Sequence, residues 1–85
     1  MMSNSMKIGD PVVDSYLDDI LMFYNTGKRH GSVGRAMYER AEFLHRHPEL
    51  ETEEIVACFS SVEIHEVFVN GLYFAYCRGY NGEEL

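Results

Sequence analysis

SSVEIHEVFVNGLYFAYCRG, Ser60 to Gly79, is the stretch on which the fold turns. Its apolar residues recur at helical spacing: Ile64, Phe68, Val69, Leu72, Ala75 and Tyr76 cover a broad arc at about 100° per residue, widened by Tyr73 and Tyr80. Ser60 and Glu63 stand at capping-box spacing and Gly79 offers a stop, so one long helix is expected over residues 61–78. Little of its circumference is left for water. Such a helix is either the central helix of the core or one that buries two sides, the second against another subunit. His65 falls inside the apolar arc, where a neutral, hydrogen-bonded core histidine is expected. Phe74 falls on the side marked by Glu63, Glu66, Asn70 and Arg78, which makes it a contact hot spot unless a neighbouring helix covers it.

Upstream, Asp10 and Pro11 suit an N-cap and a first helical position, and Val13, Tyr16, Leu17, Ile20, Leu21 and Tyr24 follow at three- and four-residue steps with Phe23 on the flank. Asp14, Ser15, Asp18 and Asp19 take the other side, near the positive end of the helix dipole. A first helix over 11–25 is expected. NTGKRHGSVGR, residues 25–35, then reads as the main loop, with Gly27 as a left-handed cap, Gly31 as a turn and Ser32 as the next N-cap. A second helix over 32–46 carries Val33, Ala36, Met37, Ala41 and Leu44 on one face, and His47-Pro48 stops it. Thr52, Glu53 and Glu54 open a third over 52–59, with Ile55, Val56, Cys58 and Phe59 clustered on one side. The expected fold is therefore all-α, a small four-helix bundle-like domain over 10–85 behind a polar lead-in at 1–9.

Length and composition bound what such a domain can do. Eighty-five residues hold one core, and 46% hydrophobic content is that of a chain that folds. The apolar run Val67 to Cys77 is about half the roughly 20 residues of a bilayer span and is interrupted by Asn70, so no membrane segment is expected. The opening residues lack the apolar core of a secretory signal, and a cytoplasmic location is the default expectation. Cys58 and Cys77 are read as buried small hydrophobes rather than a disulfide or ligand pair.

No chemistry-bearing motif stands out. GKRHG, residues 27–31, has the glycines and cations of an anion-binding turn, but not the order of a P-loop, and a helix rather than a strand precedes it. His30, His45, His47 and His65 show no zinc-ligand spacing, and the cysteines sit among apolar neighbours that suppress a thiolate. The expectation is a non-enzymatic chain with no cofactor and no metal.

Charge is divided. Five of the seven Lys and Arg fall between Lys28 and Arg46 with only Glu39 and Glu42 among them, about +3 against about −10 for the rest, within a net −7. Helical spacing pairs Arg35 with Glu39 and Glu42 with Arg46, and Arg40, flanking the apolar face, is expected to pack its stem and seek an acid on another helix. What remains is a positive knob of Lys28, Arg29 and His30 on an acidic domain. The expected function is a small acidic interaction module that binds a partner protein, itself or both through an apolar helical surface. Its candidate contact residues are Lys28, Arg29, His30, Phe74, Tyr73, Tyr80, Asp14 and Asp18. Two alternatives stand beside it. One is an acidic inhibitor or nucleic-acid mimic that occupies a basic site, using Asp14, Asp18, Asp19 and the acids at 49, 51, 53 and 54; the other is a nucleic-acid or ribosome-associated adaptor using residues 28–30. Direct nucleic-acid binding is disfavoured by the acidic balance.

Overall fold

The computed structural model describes the chain from Pro11 to Leu85, and its side chains from Ser15 onward. The expected lead-in at 1–9, the Asp10 cap and the side chain of Asp14 lie outside the described residues. Helix α1 (Pro11–Ser32) is followed by α2 (Arg40–Arg46), a 3-10 turn (Pro48–Glu51), α3 (Glu53–Ala57) and α4 (Val62–Tyr80), with no strand among the described residues. The all-α class holds. The two long helices carry the fold, whereas α2 and α3 are only about two turns or less, so the four-helix bundle-like picture gives way to a packed pair, α1 and α4, with a short-helix cover.

Helix α1 does not stop at residue 25. It runs through Gly27 and Gly31, which lie against the α4 backbone at Tyr76 and Tyr80, while Gly79 of α4 lies against the backbone of Tyr24. A Cβ at any of these three would overlap a carbonyl oxygen of the facing helix. The glycines read as loop signals are therefore packing surface. Each costs about 1 kcal/mol of helix propensity relative to alanine, and the buried contact between the helices offsets that cost. What ends α1 is Gly34 at φ 73°, with Arg35 N–H donating to His30 C=O (2.9 Å) and Gly34 N–H to Gly31 C=O (3.2 Å), the bond pair of a Schellman motif. Helix α4 ends the same way at Gly82 (φ 74°), three residues beyond the expected stop at Gly79.

Contacts between α1 and α4 advance in the same direction along both: Tyr16 meets Phe68 and Gly71, Tyr24 meets Gly79, and Gly31 meets Tyr80. Parallel neighbours need a connection that travels back, and residues 33–61 supply it. Tyr38 lies beside Tyr76, Arg40 bonds Asn70 and Glu66, Phe43 meets Phe23 and Tyr73, Leu50 bonds His65, and Phe59 meets His65 and Phe68. This crossover covers one side of the α1–α4 seam and closes the core of Phe23, Phe43, Leu50, Leu72 and Tyr76. The extents of 37 × 36 × 16 Å fit such a two-layer slab: helix axes about 10 Å apart plus a Cα radius of about 2.3 Å on each side give roughly 15 Å.

Several local expectations are corrected. On α1 the inward face centres on Phe23, Gly27 and His30, leaving Leu21 exposed. Helix α2 begins at Arg40 rather than residue 32, and Val33, Ala36, Met37 and Ala41 are exposed while Phe43 is fully buried. Ser32 closes α1, its hydroxyl donating to Arg29 C=O. Ser61, not Ser60, caps α4 by accepting from Ile64 N–H. Cys58 is exposed and Cys77 half-buried, both as free thiols. Other expectations hold. His47-Pro48 stops α2, Thr52 caps α3, Arg46 pairs with Glu42 at 3.1 Å, and Arg40 reaches Glu66 at 2.9 Å and Asn70 at 2.8 Å.

Candidate functional site

Two sides of the α1–α4 layer have opposite characters. On the covered side, three tyrosines of α4 at three- and four-residue steps hold the non-helical segment 35–39. Tyr73 donates to Tyr38 C=O at 2.9 Å, Tyr80 donates to Arg35 C=O, and Tyr76 accepts from Tyr38 N–H at 3.1 Å. These hydroxyls do for this backbone what helical hydrogen bonds would have done. The same Tyr76 hydroxyl lies within hydrogen-bond distance of His30 Nδ1, 2.9 Å away, and so joins the Tyr38 backbone to the buried imidazole. Burial holds its pKa below the ordinary value, and the nearby Arg35 and Arg29 push the same way. Burial, with a contribution from the Cys77 thiol, pushes Tyr73 up to about 12. The phenol therefore stays a donor across the physiological range.

Three expected contact residues belong to this latch. His30 is 7% exposed and turns inward, so it is not part of an exposed loop knob, and Tyr73 and Tyr80 are half-buried with their hydroxyls committed. Lys28 and Arg29 remain exposed on the last turns of α1, Lys28 over the Tyr24 ring at 5.5 Å. Arg35 has no helical partner in Glu39, because 35–39 is not helical, and its guanidinium lies over the Tyr38 ring instead. His65 is buried, with Nε2 2.8 Å from Leu50 C=O, as its place in the apolar arc implied. Asp18 is exposed. Beside it, Asp19 is half-buried, and its carboxyl is pushed up from the ordinary range by burial and then by Asp18 and Glu49, so acids of α1 and of the 3-10 turn converge.

The open side carries a groove of about 590 Å³, within the size range of binding clefts. Tyr16, Leu17, Ile20 and Leu21 of α1 form one wall, Gly71, Phe74, Ala75 and Arg78 of α4 the other, and Leu85 closes an end. No residue of the crossover lines it. At its rim Phe74 is 61% exposed, and Ile64 and Val67 extend the apolar strip along α4. Among the described residues, no neighbouring helix covers Phe74.

The groove itself was not foreseen. Leu17 and Leu21 repeat like core residues, and only the placement of the crossover leaves them on the outside. The spacing of Gly27 and Gly31 by four residues was the available signal for close helix packing, and Gly71 between Val67 and Phe74 was the signal for a close approach, which the Tyr16 hydroxyl makes. Among the described residues, no cluster of His, Cys, Asp or Glu could hold a metal ion, and no helix is long and apolar enough to cross a membrane. Every buried side-chain nitrogen or oxygen among them has a hydrogen-bond partner. No protein-family model, curated protein or solved structure matches this chain.

Proposed function

We propose that this chain is a non-enzymatic protein-interaction module whose contact surface is the open side of the α1–α4 layer. The observation that carries this is the apolar groove with the exposed Phe74 at its rim: an exposed aromatic beside an apolar, largely aliphatic surface has the form of an interface anchor. Its lining, apolar but for Arg78, fits a partner whose contact surface is itself apolar. The inward-facing His30 and His65, each engaged in a structural bond, support a binding rather than a catalytic role.

A photo-crosslinking residue placed at 74 tests this, with the same residue at Glu54, an exposed position on α3, as control. A defined protein adduct from position 74 and none from position 54 is the expected result. Absence of adducts at 74, or the same adducts from both positions, sinks the proposal.

A second reading, the acidic inhibitor, is favoured by the convergence of Asp18, Asp19 and Glu49. It predicts a partner complex that weakens steeply with ionic strength and tolerates Phe74→Ala. A complex indifferent to salt rules it out.

A further inference from the structure

We infer that Arg35 and Arg46, gathered over the ring of Tyr38, form a binding site for the phosphate group of a small phosphate monoester. The site lies on the covered side of the layer and is independent of the open face. The Arg35 and Arg46 guanidinium carbons stand 5.6 and 5.3 Å from the Tyr38 ring centroid, and both side chains are exposed. The fully buried Tyr76 ring stacks on Tyr38 at an interplanar angle of 14° and takes one face of it, which leaves the outer face to the two cations. A guanidinium laid on a ring keeps the N–H groups of its rim free for an anion.

Like charges gathered on one ring repel, and the chain answers them only in part. Arg46 pairs with the exposed Glu42 at 3.1 Å, whereas Arg35 has no ion pair among the described residues. Arg29, on the last turn of α1, is near enough to act with Arg35 on His30, and it too has no ion pair among them. An anion from outside completes the balance. Phosphate suits two arginines better than carboxylate does, because its oxygens can accept from both forks at once, whereas a single fork satisfies a carboxylate. The rest of the chain is acidic, within a net −7, which repels a long polyanion and selects a compact ligand with one phosphate group.

The backbone beneath these side chains is held in advance. Tyr80 donates to Arg35 C=O, Tyr73 donates to Tyr38 C=O, and Tyr76 accepts from Tyr38 N–H. Between these points Ala36 and Met37 are exposed, so the three hydroxyls bury little apolar surface there. What they fix is the position of Arg35 and Tyr38. Fixing a site before its ligand arrives removes part of the ordering cost of binding.

Heteronuclear NMR of the arginine Nε–H groups tests the site, with inorganic phosphate as the probe and sodium chloride at equal ionic strength as the control. Saturable shifts of Arg35 and Arg46 at millimolar phosphate are expected. Arg35→Gln and Arg46→Gln, each checked for native helicity by circular dichroism, are expected to raise the phosphate dissociation constant by about tenfold or more. Arg35→Lys keeps the charge without the fork and is expected to weaken binding as well. Arg40→Gln removes the same charge from a side chain turned to Asn70 and Glu66, and is expected to leave phosphate binding unchanged. Glycerol phosphate and adenosine monophosphate are expected to bind at least as tightly as phosphate, since the site grips the phosphate group alone. Shifts that grow linearly without saturation, the same shifts from chloride, or unchanged affinity in Arg35→Gln overturn the site. Failure of both esters to bind overturns its assignment to monoesters.

Discussion

His30 and Tyr76 are the residues whose chemistry is most altered by their surroundings. Protonating the imidazole buries a charge and places a cation beside Arg35 and Arg29. Its folded pKa lies below the ordinary 6.5, and the unfolded chain therefore binds this proton more readily. Stability is insensitive to His30 above that ordinary value and falls as pH drops from it toward the folded pKa. Thermal midpoints measured between pH 7.5 and pH 5 should decline in the wild type. They should decline less in His30→Gln, which cannot titrate; equal slopes contradict the account. Tyr76→Phe keeps the ring in the core but strands the Tyr38 N–H and removes the hydrogen bond with His30 Nδ1. The loss of two hydrogen bonds at about 1 kcal/mol each, with the penalty of an unsatisfied donor, puts the cost at roughly 2–4 kcal/mol by urea unfolding.

At the scale of elements, the parallel approach of α1 and α4 depends on absent side chains. In an ordinary helix Gly→Ala stabilises by up to about 1 kcal/mol, but Gly27→Ala and Gly79→Ala push a Cβ into a facing backbone carbonyl that cannot swing aside. Both should destabilise, by about 3 kcal/mol in equilibrium unfolding. Gly71→Ala meets only the hydroxyl end of the Tyr16 side chain, which can move, and should cost far less. Equal effects at 71 and 79 would falsify the assignment of backbone contact as the cause. Gly34, at φ 73° with open space around it, separates conformation from packing: alanine there clashes with nothing, yet should cost about 1–2 kcal/mol through the left-handed backbone alone.

For the whole molecule, one feature organises the rest: the crossover covers a single side of a two-helix layer. A radius of gyration of 13.6 Å exceeds the roughly 12 Å of a compact chain of this length, as a slab requires. Flatness leaves apolar surface that a rounder fold would bury. Phe74→Ala should leave the unfolding free energy measured in urea within about 0.5 kcal/mol of the wild type, because the exposed ring makes little contribution to the core of the single chain. Asp19→Asn acts on the same scale, since the raised pKa of Asp19 means that folding draws its negative charge out of water and, to a lesser degree, presses it against Asp18 and Glu49. Its penalty is fully present above the folded pKa, so the amide should raise the thermal midpoint at neutral pH, with the gain vanishing as the solution is acidified.

The sequence by itself determined the helical class, the stop at His47-Pro48, the caps at Thr52 and near Ser61, the long apolar α4, the inward His65 and the anchoring of Arg40. All of these rest on local spacing, capping chemistry or the face of a single helix, which a sequence states directly. The tertiary structure decided the rest. Gly27 and Gly31 look alike whether they end a helix or admit a neighbour, and only the backbone of α4 against them chooses. Residues 35–39 follow a helical pattern, yet the hydroxyls of Tyr73, Tyr76 and Tyr80 compete for their backbone groups and win. Phe74 and the groove beside it are open because the chain crosses back on the other side of the layer. That choice of side is a property of the packed chain and of no single segment.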